Sequence, residues 1–509
     1  MTTASLRYDF IVVGGGSAGC VLAARLSQDA QARVLLLEAG DAEPHPLTAV
    51  PPAWPALQHT SADWADVTVA QPALGGAKVA WPRGRGLGGS SSINAMRFAR
   101  GHRSSYDAWP EAGAHGWGYD DLLPYFMRSE NVTSVADRDP AVRGLSGPLR
   151  VGPPAQCHPL AEAGLRATLE TGHALVPDLA AGLREGFGWG DLNIHHGRRQ
   201  DAADAYLRPV LHRPNLHVVT GAPAHRLILD GERCIGAEYG LDGQRRTARC
   251  SGEVVLACGA VGTPQMLMLS GIGPQAHLRR LGIEVIADLP GVGAGLHDHP
   301  MTSVLYRAAQ PVPASVNNHG EVQGLVRSAA GLAGPDLQIM FLDLPLRRPG
   351  LPGPGQGEGY AIVVALVAPF SRGTIRLAST DAGAAPLIDP RYIADSRDLD
   401  AMVTGLRIAR EIGAAAALAP WRAREESPVA GAPDAEQVRT NCWSYHHYAG
   451  TCRIGMDEAA VVDTDLRVRG IEGLRIADAS VMPAPVSAGT NATVYAIAER
   501  AAQLLRSRT

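Results

Sequence analysis

The stretch YDFIVVGGGSAG, residues 8 to 19, decides the fold. Its first six residues are mostly β-branched or aromatic and predict a buried strand. The glycines follow at once in the spacing G-x-G-x-x-G, and residues 20 to 26 carry apolar side chains at helical spacing. A second apolar strand, residues 33 to 37, ends on Glu38. This order of strand, glycine turn, helix, strand and acid predicts a dinucleotide-binding unit.

The small residues of this turn have separate physical roles. Gly14 permits the tight turn from strand to helix, Gly16 lets the backbone approach a pyrophosphate, and Gly19 lets the helix pack closely on the strand. The helix N-terminus offers free N–H groups and partial positive charge to that pyrophosphate. Glu38 can accept hydrogen bonds from ribose hydroxyls, and its charge argues against a 2′-phosphate. A glycine turn without a ligand is the weaker interpretation, because the flanking strands and helix are all present.

The composition indicates a two-domain protein that does not bind nucleic acid. The chain of 509 residues exceeds the usual size of a single hydrophobic core. Its net charge of −4 and aromatic content of 5% do not favour nucleic acid as a partner. The seven cysteines are scattered without C-x-x-C spacing, which predicts neither a zinc site nor a disulfide framework. Residues 1 to 6 leave no room for a signal peptide and no apolar run could span a bilayer, so we expect a cytoplasmic protein.

Two further stretches are rich in glycine. Residues 82 to 94, PRGRGLGGSSSIN, are small enough to let backbone approach a flat ligand, and residues 91 to 94 are expected to open a helical segment. A flexible surface loop is the alternative there. Residues 253 to 257 predict a strand, and residues 259 to 273, GAVGTPQMLMLSGIG, predict a glycine turn into a helix. This second unit belongs with the first sheet and favours an adenine-side contact, since it lacks the G-x-G-x-x-G spacing.

Residues 301 to 440 differ in character and predict a second domain on the substrate side. Residues 399 to 413 predict a helix. Residues 349 to 359 are nearly all glycine and proline, which predicts a mobile loop over the site entrance. Strand-like runs separated by turns predict an antiparallel sheet, and these runs are Ser303–Arg307, Asp336–Leu342, Ala361–Val367 and Gly373–Leu377.

The C-terminal part contains candidate chemical groups. Residues 445 to 451, YHHYAGT, place histidines before a turn of small residues. A strand at residues 474 to 477 leads into Asp478. A helix with one apolar face then begins at Asn491, and its N-terminal dipole can stabilise negative charge.

Four stretches resemble the glucose–methanol–choline (GMC) family of FAD-dependent oxidoreductases. They are GGGSAG with Glu38, GRGLGGSSSINAMRFARGHRSSYD, GAVGTPQMLMLSGIG, and HHYAGTCRIG with LRIADASVMP and GTNATVYAIAER. The resemblance covers the whole chain and implies an α/β fold with two domains. One is a Rossmann-like FAD-binding domain with a parallel sheet, built from residues 1–155, 191–300 and 441–509. The other is an α+β substrate domain with an antiparallel sheet, built from residues 156–190 and 301–440.

The resemblance also implies catalytic roles. The family's histidine before the G-T turn falls on His447, which would take the hydroxyl proton while hydride passes to the flavin N5. His446 is a competitor for this role. The family's second position, His or Asn, falls on Asn491, which can orient the hydroxyl without exchanging protons and can also cap its helix. Some relatives attach FAD through a histidine at the position of Ile93, so non-covalent FAD is expected here.

The predicted cofactor contacts extend over all four stretches. The motif His297-Asp298-His299 could suggest a metal pair, but the resemblance makes it a loop near the cofactor, and no metal is expected. The predicted contacts are Gly14, Gly16, Ser17, Ala18, Gly19, Glu38, Ala39, Gly88, Ser90, Asn94, Ala95, Ala222, Ala257, Gly259, Asp478, Ala479, Asn491, Ala492 and Thr493.

The predicted function is oxidation of an alcohol to an aldehyde or ketone, with FAD as hydride acceptor. A primary alcohol is favoured by analogy with bacterial relatives of choline dehydrogenase and aryl-alcohol oxidase. Alternatives are an aryl-alcohol or hydroxymethylfurfural-type oxidase, a hydroxynitrile lyase with structural FAD, and a non-catalytic flavoprotein. The second domain has few aromatic residues, so no cage for a quaternary ammonium is predicted. The alcohol, the oligomeric state, and the choice between oxygen and another electron acceptor are left open.

Overall fold

The computed structural model describes residues 7–429 and 431–506, so the expectation about residues 1 to 6 concerns a segment outside these ranges. Within them, no helix combines the length and the apolar character needed to cross a membrane. The α-helices are α1 Ser17–Leu26, α2 Arg103–Asp107, α3 Tyr119–Ser129, α4 Pro159–Glu170, α5 Gly259–Leu269, α6 Gln275–Arg280, α7 Ser396–Ala414, α8 Asp434–Thr440 and α9 Asn491–Arg506. The strands of the two large sheets are β1 Arg7–Val13, β2 Val34–Leu37, β3 Gly186–Trp189, β4 Leu216–Val219, β5 Ala224–Asp230, β6 Arg233–Leu241, β7 Gln244–Leu256, β8 Pro300–Ala308, β9 Val322–Val326, β10 Leu337–Leu342, β11 Gly359–Leu366, β12 Arg422–Glu425, β13 Trp443–Ser444 and β14 Leu474–Ile476.

The first sheet contains the dinucleotide-binding unit. Its order is β4-β2-β1-β7-β6-β5, and β14 also pairs with β7. The strands β4, β2, β1, β7 and β14 are parallel, whereas β5, β6 and β7 form an antiparallel meander. All four residues of β2 are buried, as expected for a parallel strand covered on both faces. The predicted βαβ unit is confirmed, and the strand predicted at residues 253 to 257 is the end of the longer β7.

The C-terminal helix α9 packs against α1 and α3 of the first domain. Arg25 on α1 donates from Nε and Nη2 to the carboxylate of Glu499 on α9, over 2.9 and 2.7 Å. Glu499 is fully buried, and the hydroxyl of Tyr206 donates to it over 3.0 Å. Because a buried carboxylate is stable only when paired, this contact fixes α9 beside the first helix.

The second sheet is antiparallel, with the order β12-β8-β11-β10-β9-β3, and β13 also pairs with β8. The predicted runs 303–307, 336–342 and 361–367 correspond to β8, β10 and β11, which confirms the antiparallel sheet. The run predicted at 373–377 instead forms a small separate sheet, as Gly373–Arg376, with Ala294–Leu296 and Leu387–Asp389. Asp398 explains the difference, since its carboxylate accepts from the amides of Phe370 and Ser371 and turns the chain away after β11.

A chain segment near residue 447 joins the two sheets. His297 and Ala449 exchange backbone hydrogen bonds of 3.0 Å, and Tyr445 N donates to His299 O over 2.9 Å. The pairing continues into β13 and β8. Thus β13, although within residues 441–509, is a strand of the second sheet. The predicted domain boundaries remain predictions, and β13 lies where the two predicted domains meet.

Candidate active site

A cavity of about 1030 Å³ lies between the glycine turn of the first domain and one face of the second sheet. Ligand pockets usually measure about 300–1000 Å³, so the space is large enough for an extended cofactor together with a small substrate. The half near the glycine turn, called the cofactor half below, is lined mainly by glycine and alanine. The half near the second sheet, called the substrate half, is lined by longer side chains.

The glycine turn forms one end of this cavity. Gly14 has φ +101°, and a Cβ atom there would lie 2.6 Å from the carbonyl oxygen of Ala257. A Cβ atom on Gly19 would overlap the carbonyl of Gly14, so Gly19 packs α1 on the turn and does not line the cavity. Gly16 does line it and faces Gly89, whose own Cβ atom would lie 2.6 Å from the Cα of Gly16. Side chains larger than hydrogen at Gly14, Gly19 or Gly89 would therefore clash with the neighbouring backbone.

Glu38 joins three loops at the end of β2. Its Oε2 accepts from Gly15 N over 2.7 Å, and its Oε1 accepts from Gly40 N over 2.7 Å and Gly86 N over 3.0 Å. Burial raises the pKa of this carboxyl, and these amide hydrogen bonds oppose the rise. Glu38 lines the cavity, and because each carboxylate oxygen has more than one acceptor direction, it can also accept from a ribose hydroxyl.

The second glycine-rich stretch lies directly against the first. Gly88 N donates to Gly15 O over 2.9 Å, and Gly88 faces the carboxylate of Asp201 rather than the cavity. Residues 89 to 92 form a short 3-10 helix rather than the opening of a longer helical segment. Ser90 and Asn94 line the cavity.

Asp478 holds the second strand–turn–helix unit in place. Its Oδ2 accepts from Gly259 N over 2.9 Å and from the Thr263 hydroxyl over 2.6 Å, while Oδ1 accepts from Ser480 N over 2.8 Å. Burial raises the pKa of Asp478. Its carboxylate therefore ties the N-terminus of α5 to the end of β14 beside the cavity.

His447 lies at the opposite end of the cavity, with its imidazole held on two sides. Its Nδ1 is 2.8 Å from Nδ1 of His299, and its ring centroid is 4.0 Å from that of Tyr445. A Cβ atom on Gly489 would lie 3.2 Å from Nε2 of His447, so Nε2 faces the loop that leads into α9. Burial lowers the pKa of His447 well below its ordinary value, and the positive charge of Arg97 lowers it further. The imidazole is therefore neutral at neutral pH.

The contact with His299 permits the tautomer of His447 that a general base needs. Burial lowers the pKa of His299 to about 3, so this ring is also neutral and one of the two Nδ1 atoms must donate to the other. When His447 donates from Nδ1, its Nε2 carries the lone pair that a base needs. His299 then carries its proton on Nε2, an atom that is buried and has no hydrogen-bond partner among the described residues.

Asp298 positions the backbone of His447, a role that was not predicted. Its buried carboxylate accepts from His447 N over 2.7 Å, from the Ser444 hydroxyl over 2.6 Å and from the Tyr392 hydroxyl. Burial raises the pKa of Asp298 to about 6, although these hydrogen bonds oppose the rise. The described ranges contain no group of three or more potential metal ligands, and the HDH motif lies beside the turn that carries His447.

His446 differs from its neighbour in its hydrogen bonding. It has φ +66°, and its Nδ1 is 3.0 Å from the Tyr448 hydroxyl. Burial lowers the pKa of His446 to about 4. Both histidines line the cavity, as does Asn491 at the first position of α9. Sequence positions 446, 447 and 491 are thus brought to one end of one cavity.

Most predicted cofactor contacts line this cavity, and four do not. Gly88 and Gly19 support the turn, Ala492 is buried within α9, and the Thr493 hydroxyl bonds Tyr106 over 2.8 Å. The predicted residues that line the cavity are Gly14, Gly16, Ser17, Ala18, Glu38, Ala39, Ser90, Asn94, Ala95, Ala222, Ala257, Gly259, Asp478, Ala479, Asn491 and His447.

The substrate half contains residues that sequence reasoning missed. Gln323 on β9 and Met340 on β10 are register partners, and Gln338 lies two residues before Met340 on the same face. Gln338 Nε2 donates to Gln323 Oε1 over 2.9 Å, and all three line the cavity. Arg97, from the strand Arg97–Phe98, lies on the same wall. The available signal was one glutamine within each otherwise apolar strand.

The residues present fit a flavin dinucleotide. A cradle of small residues that any Cβ would fill lies at the N-terminus of α1, where backbone N–H groups favour a pyrophosphate. A buried acid follows β2 at the ribose position. The remaining length of the cavity leads from this cradle to His447 and Asn491.

Comparisons with known proteins identify the family of the chain. The GMC oxidoreductase family models match residues 8–301 and 369–498. An uncharacterized GMC-type oxidoreductase of Mycobacterium tuberculosis is 41% identical over 98% of this chain and 99% of its own length. Choline dehydrogenase of human mitochondria is 39% identical over 99% of this chain and 90% of its own length. The crystal structure of pyridoxine 4-oxidase from Mesorbium loti is 37% identical, with a TM-score of 0.93 over 98% of this chain and 99% of that chain.

The chain belongs to the GMC oxidoreductase family. It is an FAD-dependent oxidoreductase that acts on alcohols, with a Rossmann-like FAD-binding domain and a separate substrate domain. The predicted family, fold class and general activity are thereby confirmed.

Proposed function

We propose that the protein oxidises primary alcohols to aldehydes, with His447 as the base and FAD bound non-covalently. One observation carries the proposal: Nε2 of His447 faces the cavity beside Gly489, while Nδ1 is held by His299. An imidazole kept neutral by burial, with one nitrogen held and the other facing the substrate space, has the properties of a general base.

The chain's own residues account for the proton. The alcohol hydroxyl gives its proton to Nε2 of His447, and Nδ1–H of the resulting imidazolium continues to donate to His299. Asn491 orients the hydroxyl through its amide, which cannot exchange protons near neutral pH. FAD, when bound, supplies the hydride acceptor.

The experiment is anaerobic reduction of the flavin by benzyl alcohol in wild-type protein and in His447→Ala and His446→Ala variants. Loss of a general base slows reaction about 10²–10⁴-fold, so His447→Ala should reduce its flavin by that factor more slowly while retaining FAD. His446→Ala should retain much more activity, because Nδ1 of His446 is engaged by Tyr448. Equal losses in the two variants would argue against His447 as the particular base.

Non-covalent FAD is supported by Ile93, which lines the cavity where some relatives have an attaching histidine. The thiol of Cys258 also lines it, but burial raises its pKa and makes it a poor nucleophile. Acid precipitation should release all the yellow colour into the supernatant. Flavin retained in the precipitate would show covalent attachment.

The same bleaching experiment separates the alternative activities. A hydroxynitrile lyase would release cyanide from a cyanohydrin without bleaching by alcohols, and a non-catalytic flavoprotein would do neither. Admission of air to the bleached enzyme identifies the electron acceptor: fast return of colour with peroxide indicates an oxidase, and slow return indicates a dehydrogenase.

We further propose a cytoplasmic location, which the seven unpaired cysteines support. Fractionation of the native host would test it.

A further inference from the structure

The substrate half of the cavity contains an arginine that has no carboxylate partner. Arg97 Nε donates to Gly320 O over 3.1 Å, and Nη1 donates to the Tyr445 hydroxyl over 2.9 Å and contacts Sδ of Met340. Nη2 makes no hydrogen bond to any group in residues 7–429 or 431–506. The guanidinium is thus held in place with one donor group unused, beside the cavity that it lines.

The carboxylates that line this cavity, among the described residues, are already engaged elsewhere. They are Glu38, Asp66 and Asp478. Glu38 and Asp478 bind backbone amides in the cofactor half, and Asp66 accepts from Nε of Arg83 over 2.6 Å. No carboxylate of the described lining therefore neutralises Arg97.

Other cations increase the positive charge at this end. Arg347 and Arg348 also line the cavity. Nη1 of Arg348 is buried and has no hydrogen-bond partner within the described ranges. Arg347 donates from Nε to the carbonyl of Leu351 over 2.8 Å and from Nη1 to that of Pro345 over 2.9 Å, so these two donors bind its own loop rather than Tyr445.

Tyr445 sets the spacing between this cation and the base. Its hydroxyl bonds Arg97, and its ring packs on the ring of His447. The guanidinium and the imidazole are therefore separated by about the length of one phenol ring. Apolar side chains that line the same cavity include Met301, Met340 and Leu342.

We infer that Arg97 is a specificity-determining residue that binds the carboxylate of an anionic alcohol. The substrate class is an alcohol whose hydroxymethyl group and carboxylate are separated by about one aromatic ring or an apolar spacer of that length. This inference rests on the proposed function, since it places the alcohol at His447. A quaternary ammonium alcohol is disfavoured, because its charge would face Arg97 without a carboxylate between them.

The test compares two alcohols of the same shape, 4-(hydroxymethyl)benzoate and 4-(hydroxymethyl)benzamide. A charge-assisted hydrogen bond corresponds to about 10- to 100-fold, so wild-type enzyme should prefer the benzoate by that factor in kcat/KM. The preference should disappear in Arg97→Met and persist in part in Arg97→Lys, which keeps the charge. Arg347→Met is the matched control, because it removes a cation from the same lining without removing the contact between Arg97 and Tyr445; its preference should equal the wild-type value.

A binding measurement makes the inference independent of turnover. Benzoate and benzamide are titrated into the FAD-loaded protein, and the flavin spectrum reports occupancy. Benzoate should bind about 10- to 100-fold more tightly to wild-type protein and lose that advantage in Arg97→Met. Equal binding of the two compounds, or an equal slowing of both alcohols in a folded Arg97→Met protein, would overturn the inference. A different result would point to the proposed function instead. If His447→Ala still binds benzoate more tightly than benzamide but reduces its flavin at the wild-type rate, the role given to His447 is wrong and the inference about Arg97 stands.

Discussion

The hydrogen bond between His299 and His447 permits a quantitative prediction. Replacing His299 by leucine removes the acceptor that lies 2.8 Å from Nδ1 of His447. Both rings are largely withdrawn from water, so no solvent replaces the lost partner when His447 becomes charged. A hydrogen bond to a charged group contributes about 1.5–3 kcal/mol. Flavin reduction should therefore slow by about 10- to 150-fold.

The matched variant is His299→Asn, because the side-chain oxygen of asparagine can occupy the position of Nδ1. It should retain most of the wild-type rate, whereas His299→Leu should not. The assay is anaerobic stopped-flow reduction at saturating benzyl alcohol, with FAD content and melting temperature measured for each protein. If a folded, FAD-loaded His299→Leu protein reduces its flavin at the wild-type rate, the assignment of the tautomer to this contact is wrong.

Two further predictions concern the same imidazole. In Gly489→Ala the new methyl group would lie 3.2 Å from Nε2 of His447, in the space that the hydroxyl must enter. Overpacking costs about 1–3 kcal/mol, so kcat/KM should fall about 5- to 150-fold with FAD retained, and an unchanged kcat/KM would contradict the placement of Nε2. The second prediction concerns pH: because the pKa of His447 is lowered, the base stays unprotonated through about pH 6.5, where a free histidine titrates. The rate of flavin reduction should stay constant there and decline only at lower pH; a decline centred near or above pH 6.5 would contradict this.

The dinucleotide-binding unit could be predicted because its causes are local. The strand β1, the turn at Gly14 and the helix α1 follow one another directly, and the tight turn and close packing that they require allow only glycine at certain positions. The second strand–turn–helix unit, the antiparallel sheet and the helix α7 were predicted for the same reason. The short 3-10 helix at residues 89 to 92 was not, because residues so small can adopt several turn geometries that only their packing on Gly15 and Gly16 resolves.

The catalytic end depended on contacts between distant parts of the chain. His299 and His447 are 148 positions apart, and Asp298 reaches the amide of His447 across the same antiparallel pairing. The pattern HDH was compatible with a metal pair and with a loop near the cofactor, because the presence of a histidine in a sequence does not distinguish the two. Arg97 and Tyr445 are 348 positions apart and meet because both contact Met340 of the second sheet.

The sequence by itself therefore determined the cofactor-binding turn, the fold class and the identity of the candidate base. For the turn and the fold class the information lies in adjacent residues whose backbone requirements few other residues satisfy, and the candidate base follows from the family resemblance of residues 446 to 451. The tertiary structure alone decided which nitrogen of His447 faces the substrate space, what orients its ring and which charge faces the alcohol. Those properties arise from burial and from pairs of side chains that the chain brings together over hundreds of residues, and spacing along the sequence does not encode them.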